Sequence, residues 1–220
     1  MQELRFTLVA DGSSDRAILP VLVWLLREHF AGIPVQPEFA DLRRLPNPPR
    51  ALSSRIDRSI ELYPCDLLFV HRDAERESID QRAREIRESL AKSAMERTTP
   101  VVRVIPVRMQ EAWLLIDESA LRRAAGNPTG REPLEMPDPK RLEDLPDPKQ
   151  TLHELLRQAS GLQGRRLKRF GRDVGSRVHR VAEQIDDFSL LRELTAFRQV
   201  ERQVTALRQR GILPGLNGPR

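Results

Sequence analysis

Cysteine is nearly absent from this chain, since Cys65 is the only one among its 220 residues. A single cysteine excludes a disulfide within the chain and a zinc site made of several thiolates of one chain. Aromatic residues are also scarce, at 5% of the sequence, so we expect a core made mainly of Leu, Val, Ile and Ala. No apolar run approaches the roughly 20 residues that a membrane-spanning helix needs, and we expect no contact with a membrane.

Several signatures of nucleotide binding and nucleophilic catalysis are missing. The sequence has no phosphate-binding loop with Gly-Lys-Ser/Thr, no Gly-x-Gly-x-x-Gly and no Gly-x-Ser-x-Gly, each of which depends on closely spaced glycines. A small-molecule phosphotransferase is therefore the weaker alternative, and any ATPase acting with this chain would be a separate partner protein. The N-terminal residues lack the basic and apolar regions of a secretion signal, so we expect a cytoplasmic protein.

Positive charge is concentrated in the second half of the chain. Lys and Arg number 37 against 32 Asp and Glu, and residues 1–126 carry 19 of each sign, so the whole excess lies in residues 127–220. Between residues 160 and 180, Asp173 is the only acid among seven basic residues: Arg165, Arg166, Lys168, Arg169, Arg172, Arg177 and Arg180. The first five are candidates for binding nucleic-acid phosphates, and a solvated helix surface is the alternative.

Apolar runs and helical periodicity alternate along the first half of the chain. The runs predict strands at residues 4–10, 33–40, 66–71 and 100–107, and the periodicity predicts helices at residues 15–30, 50–62, 76–92 and 110–125. This alternation is typical of an α/β fold with a mostly parallel sheet flanked by helices.

Composition changes after residue 126 and suggests three segments. Residues 1–126 are predicted to form the α/β core. Residues 127–149 are rich in proline and predict an extended connector without regular structure. Residues 150–220 predict a basic helical extension, with helices near 150–160, 174–187 and 189–209.

Four acidic residues follow predicted strands. Asp11 follows the first strand, Asp73 and Glu75 follow the strand at 66–71, and Glu111 follows the strand at 100–107. The loops after parallel strands gather at one edge of the sheet, so we expect these side chains to meet. Converging carboxylates repel each other unless a cation or proton lies between them. The hard divalent ions Mg²⁺ and Mn²⁺ are the natural occupants of such a site.

Structural explanations for the individual residues stay open. Asp11 could bind backbone N–H groups of a turn, and Asp15 suits the positive N-terminal end of a helix. His71 would be packed or hydrogen-bonded at its strand end, and Arg72 would either steady a phosphate or pair with a nearby acid. A phospho-receiver domain also clusters acids, but it needs a lysine at a late strand end, and none of the four lysines occupies one.

Two of these segments resemble motifs of the Toprim domain, the fold shared by topoisomerases, primases and the nucleases of the overcoming-lysogenization-defect family. The run from Ala10 to Asp15 resembles the Glu-Gly-x-x-Asp motif after the first Toprim strand, with Asp11 in place of glutamate. The run from His71 to Glu75 resembles the Asp-x-Asp motif, with Glu75 as the second acid.

A more specific resemblance extends over nearly the whole chain. It is to an uncharacterised bacterial Toprim-like family often associated with phage defence. The residues that carry it are the runs 70–74, 110–115 and 146–149 and the closing helices.

The resemblance implies a Toprim-like sheet and a nuclease dependent on Mg²⁺ or Mn²⁺, with nucleic acid as substrate. Asp73, Glu75 and Glu111 would hold the ion or ions, and Asp11 would bind metal or act as general base. Asp11 and Asp73 are therefore the catalytic candidates. Aspartate is one methylene shorter than the usual glutamate at position 11, which reduces its reach. The alternative is a catalytically inactive subunit that binds nucleic acid or a partner in a defence complex.

Overall fold

A four-stranded parallel sheet forms the centre of the computed structural model, which describes residues 3–94 and 99–213. Its strands are β1 (Leu4–Val9), β2 (Val35–Phe39), β3 (Leu67–His71) and β4 (Val101–Val104). They lie in the order β2-β1-β3-β4, and each neighbouring pair is parallel. The sheet confirms the predicted α/β fold.

Eight α-helices surround the sheet in the described part of the chain. They are α1 (Leu19–His29), α2 (Leu52–Leu62), α3 (Ile79–Lys92), α4 (Glu118–Ala125), α5 (Pro148–Ala159), α6 (Gly164–Arg172), α7 (Val174–Gln184) and α8 (Thr195–Gln209). Shorter 3-10 helices occur at Ser13–Ile18, Leu42–Arg44, Gln110–Leu114, Pro139–Asp144 and Ser189–Glu193. The starts of α3, α4 and α5 are capped by Ser78, Asp117 and Asp147, whose side chains accept a backbone N–H, as expected of these residue types.

Both faces of the sheet are covered, which explains why β3 is apolar at consecutive positions. On one face Phe6 and Phe69 pack edge to face, with ring centroids 5.2 Å apart, in a core that includes α1. On the other face Leu68 and Val70 belong to a second cluster with Ile56 of α2. The strand ends are thereby fixed between two helical layers.

The C-terminal helices belong to the same core as the first face of the sheet. Phe197 of α8 lies against Trp113, with ring centroids 5.6 Å apart. At the edge of the sheet, the amide of Gln203 accepts a bond from the N–H of Arg103 in β4 at 3.0 Å and donates to its carbonyl at 3.1 Å. It thus occupies backbone groups that an edge strand leaves free. The predicted boundaries at residues 126 and 149 do not coincide with separate cores.

Sequence and structure differ in three segments. The helix predicted at 110–125 is divided, because the 3-10 helix Gln110–Leu114 ends before Asp117 caps α4. The connector, predicted without regular structure, contains a 3-10 helix that buries Leu142. Helix α6 was not predicted, because Phe170 is its only buried residue and a single apolar residue leaves no periodic signal.

Candidate functional site

The carboxyl ends of β1 and β3 form the point where the chain reverses its progress across the sheet. From β1 the chain moves to β2 on one side, and from β3 it moves to β4 on the other. Loops that diverge from such neighbouring strands leave a crevice, which is the usual ligand site of an open parallel sheet. Asp11 after β1 and Asp73 after β3 both line a cleft of about 290 Å³ at this point.

Three of the four predicted carboxylates line this acidic cleft, namely Asp11, Asp73 and Glu75. The other lining residues are Gly12, Ser14, Asp15, His71, Arg72 and Arg82. Glu111 is not among them, but its negative charge is close enough to raise the Asp73 pKa. The structure therefore brings the four predicted acids to one end of the sheet. Their role as metal ligands stays a prediction.

The surroundings of Asp73 oppose its ionisation. Burial raises the pKa of its carboxyl to about 8, and the charges of Glu111, Asp15 and Glu75 act in the same direction. One Asp73 oxygen accepts the N–H of Gln110 at 2.8 Å, which partly offsets these effects. Near neutral pH the carboxyl therefore keeps its proton unless a cation takes the place of that proton.

Asp15 lies inside the site and is only 7% exposed. Its carboxylate accepts bonds from the N–H of Gly12 at 2.8 Å, the hydroxyl of Ser14 at 3.1 Å and the side-chain amide of Gln110 at 3.0 Å. The interpretation of Asp15 as a residue that suits a helix N-terminus is confirmed, because Asp15 lies in the first turn of the 3-10 helix Ser13–Ile18 and accepts the N–H of Gly12 at its start. The contact with Gln110 is additional and joins Asp15 to a segment 95 positions away.

His71 places its imidazole beside two carboxylates. Its Nδ1 lies 3.2 Å from the carbonyl of Val104, and because a carbonyl only accepts, Nδ1 carries the hydrogen. Its Nε2 lies 3.6 Å from Asp73 Oδ1 and 4.0 Å from Asp15 Oδ2. Burial lowers the pKa of the imidazole and outweighs the opposite effect of Asp15. The sequence predicted a packed or hydrogen-bonded histidine, which the bond from Nδ1 confirms. That prediction gives no role to Nε2.

The carboxylate of Asp11 is bound by arginines on both of its oxygens. Arg55 of α2 pairs with Oδ1, and the Nε of Arg72 lies 2.9 Å from Oδ2. Arg72 also lies 2.8 Å from Glu85 of α3 through Nη1. The prediction that Arg72 pairs with a nearby acid is confirmed by these two ion pairs, and a role in steadying a phosphate stays a prediction.

Glu75 is held in a similar way by Arg82. The guanidinium of Arg82 lies 3.2 Å from the Glu75 carboxylate and 2.9 Å from that of Glu85. Its Nε donates to the main-chain carbonyl of Asp73 at 3.1 Å. Arg82 therefore fixes the loop that carries two of the predicted metal ligands.

Glu111 is 4% exposed and lies near a lysine of the following segment. Burial raises the pKa of its carboxyl, while Lys149, whose Nζ is 3.9 Å from Glu111 Oε1, lowers it. Lys149 lies in the first turn of α5. It brings a positive charge from the end of the connector toward the acidic residues.

The arrangement suits a cation, although its side chains do not yet form a ligand shell. Among residues 3–94 and 99–213, no group of three or more His, Cys, Asp and Glu is close enough to hold a metal ion as it stands. The donors themselves are the carboxylates and imidazole that divalent ions use. The side-chain oxygen of Gln110 is also buried there without a hydrogen-bond partner in the described structure.

The predicted phosphate-binding residues of the second half lie elsewhere. Helix α6 carries them on its exposed surface: Arg165, Arg166, Lys168, Arg169 and Arg172. They do not line the acidic cleft, and within the described residues none of their side chains has an ion pair or hydrogen bond. Arg177 differs, because it lies over the ring of Phe170 at 4.2 Å and donates to the carbonyl of Ala124 at 2.8 Å.

Sequence reasoning missed several residues of the site. Asp15 was visible as the second acid of the run from Ala10 to Asp15, and His71 as a titratable residue at the end of a buried strand. Arg55, Arg82 and Gln110 gave no local signal, because their contacts depend on how distant segments pack.

Comparisons with known proteins give no further guide to the site. The chain has no significant match to any protein-family model, to any curated protein or to any solved structure. The Toprim-like resemblance therefore stays a prediction. None of the helices in residues 3–94 and 99–213 has the length and apolar content needed to span a lipid bilayer.

Proposed function

We propose that the protein is a Mg²⁺- or Mn²⁺-dependent phosphodiesterase that acts on nucleic acid, as a nuclease of a bacterial defence system. The observation that carries the proposal is the crowding of carboxyls around Asp73, which is largely buried beside Glu111, Asp15 and Glu75 and has a raised pKa. Strongly perturbed carboxyls in a crevice are typical of functional sites. A divalent cation is the partner that offsets this charge and restores the ionised carboxylate.

The ion would be held by Asp73, Asp15 and Glu111. When bound, it supplies Lewis-acid activation of water and of the phosphodiester. Asp11 lines the cleft and is half exposed, and it would accept a proton from water after release of one of its two arginine partners. Asp11 and Glu75 can also serve as ligands, provided that they give up their arginine partners.

Positive side chains around the cleft suit a phosphate backbone. Arg72 and Lys149 each pair with a carboxylate of the site, and a bound ion that neutralised those carboxylates would leave both cations free for phosphate oxygens. The exposed basic surface of α6 would bind more distant phosphates of a long substrate. The expected cytoplasmic location and a separate ATPase as partner belong to the same proposal.

The proposal is tested with the Asp73→Asn variant, which keeps the shape of the side chain and removes its charge. Purified protein is incubated with single- and double-stranded DNA and RNA in the presence of Mg²⁺, Mn²⁺ or a chelator. We expect metal-dependent cleavage by the native chain and none by Asp73→Asn. Asp186→Asn, a change at an exposed residue of the surface, is the matched control and should cleave normally. Full cleavage by Asp73→Asn refutes the proposal.

A second function is favoured by the arginine pairs of Asp11 and Glu75. If these pairs persist when nucleic acid binds, the two carboxylates stay unavailable for chemistry. The chain would then be a binding subunit of a defence complex without catalysis. Nucleic-acid binding without cleavage, under every metal tested and with the ATPase partner supplied, would identify this function.

A further inference from the structure

The Nε2 atom of His71 faces the acidic cleft. It carries no hydrogen and forms no hydrogen bond to the described side chains around it. The ring is 2% exposed, and its Nδ1–H is committed to the carbonyl of Val104. The neutral ring therefore presents a lone pair at Nε2. The nearest oxygens are Asp73 Oδ1 at 3.6 Å and Asp15 Oδ2 at 4.0 Å, both too long for a hydrogen bond.

A second buried atom beside these residues lacks a partner. The amide nitrogen of Gln110 donates to Asp15, which fixes the orientation of the amide. With the amide in this orientation, its oxygen Oε1 is buried and has no hydrogen-bond partner among the described residues. Buried polar atoms are nearly always satisfied, so this oxygen can accept from a bound water or bind a cation beside the two carboxylates.

The spacing of the atoms around His71 fits a shared ion. Nitrogen and oxygen ligands lie about 2.0–2.2 Å from a zinc-like ion, so neighbouring ligands of one ion are about 3–4 Å apart. The two distances from Nε2, 3.6 and 4.0 Å, fall in this range. The bond from Nδ1 to the Val104 carbonyl is of the kind that orients metal-binding histidines in general.

We propose that His71 Nε2 is a metal ligand together with Asp73 and Asp15, so that the site takes a first-row transition ion in preference to Mg²⁺. An imidazole nitrogen favours Fe²⁺, Co²⁺ or Zn²⁺, and it also binds Mn²⁺, although less tightly. Mg²⁺ prefers an all-oxygen shell with several waters. The inference rests on the proposed metal-dependent function and specifies which ions serve it. His71 thereby becomes a specificity-determining residue of the cleft.

The test uses Mn²⁺ as the probe and pulsed electron paramagnetic resonance as the readout, independent of any cleavage. Nitrogen bound to Mn²⁺ gives a ¹⁴N modulation of the spin echo, and protein labelled with ¹⁵N-histidine gives a different frequency. We expect one histidine nitrogen in the native chain at one equivalent of Mn²⁺. We also expect Mn²⁺ to bind at least about tenfold more tightly than Mg²⁺.

Two variants assign the nitrogen to one ring. His71→Asn should lose the ¹⁴N modulation and most of the preference for Mn²⁺ over Mg²⁺. Because His71 is buried, this variant could fail to fold. The triple variant H29Q/H153Q/H179Q, which keeps His71 as the sole histidine of the sequence, should then retain the modulation in full.

The outcomes separate this inference from the proposed function. Mn²⁺ bound in the cleft without histidine nitrogen overturns the role of His71 and leaves the metal-dependent function standing. Nitrogen modulation that persists in His71→Asn, or disappears in the triple variant, overturns it as well. Absence of Mn²⁺ binding to the native chain removes both the inference and the proposed function.

Discussion

The main-chain N–H of Glu75 donates to the carbonyl of Arg108 at 2.8 Å. These are the two residues other than glycine, in the described part of the chain, whose backbone is left-handed, with φ of 55° and 58°. Their bond joins the loop after β3 to the loop after β4, next to Asp73. Such strained positions persist only where the surroundings enforce them, and they cluster at functional sites.

The positive φ of Arg108 predicts that glycine is more stable than alanine at this position, the reverse of the usual order. Glycine adopts a positive φ without steric cost, whereas for a residue with a Cβ this conformation costs about 1–2 kcal/mol. We therefore expect Arg108→Gly to be about 1 kcal/mol more stable than Arg108→Ala in urea unfolding. The alanine variant is the matched control, because both changes remove the same side chain. Equal stability, or a more stable alanine variant, would show that this backbone is unstrained in solution.

Asp11 and Asp15 are expected to differ in their effect on cation binding. Asp15 is buried beside His71 and Asp73, whereas both oxygens of Asp11 are already paired with arginines. By calorimetric titration with Mn²⁺, Asp15→Asn should weaken binding by at least about tenfold, because the loss of a proposed ligand costs no less than the loss of a residue that orients one. Asp11→Asn should weaken it by less than about threefold, since the charge that it removes is already compensated.

An equal or larger loss of Mn²⁺ affinity in Asp11→Asn would support the metal-binding role predicted for Asp11 from the sequence. If Asp11→Asn costs as much affinity as Asp15→Asn, the arginines must release Asp11 on metal binding. Thermal unfolding without metal serves as the control for each variant, because Asp15 also anchors the turn after β1 through Gly12.

The raised pKa of Asp73 predicts a loss of stability with rising pH in the absence of metal. The folded chain holds this proton up to about pH 8, whereas the unfolded chain releases it near the ordinary value of 3.8. Between these values the folded state binds more protons, so its unfolding free energy falls as pH rises. The limiting slope is about 1.4 kcal/mol for each pH unit.

The measurement compares the native chain with Asp73→Asn by urea unfolding at pH 5, 6.5 and 8 in the presence of a chelator. The difference between them should shift by a few kcal/mol in favour of the variant as pH increases. Saturating Mn²⁺ should cancel the shift, because the ion replaces the proton. A difference that stays constant with pH would place the Asp73 pKa near its ordinary value.

The basic surface of α6 is expected to bind nucleic acid without supporting the fold. The triple variant R165Q/R166Q/R169Q removes three exposed charges that have no partner among the described residues. Fluorescence anisotropy with a short DNA duplex at two or more salt concentrations should show weaker binding. The slope of log affinity against log salt should fall by about 0.9 for each phosphate that the variant no longer neutralises, with an unchanged midpoint of thermal unfolding.

The matched control is R27Q/R198Q/R208Q, which removes three exposed arginines from α1 and α8. It changes the net charge equally and should affect binding much less. Equally weakened binding in the two triple variants would mean that net charge, and not the α6 surface, governs the interaction.

The sequence was informative where local pattern determines structure. The apolar runs predicted the strands most clearly at β1 and β3, which are buried along nearly their whole length because both faces of the sheet are covered. The signal was weaker at β2, where only Val35 and Phe39 are buried. The acids at strand ends predicted where a site would form. Contacts made across the fold were not accessible in this way. Gln203 at the edge of β4, Arg55 on Asp11 and the orientation of His71 by Val104 each join residues more than 30 positions apart.

The most direct test of the central claim is a crystal structure of the protein grown with saturating Mn²⁺, with anomalous diffraction used to locate the ion. We expect one strong peak between Asp73 and Asp15, about 2–2.5 Å from their carboxylate oxygens, with the His71 ring turned toward it. A crystal that shows Mn²⁺ only at exposed carboxylates, and none within reach of Asp73, would contradict it.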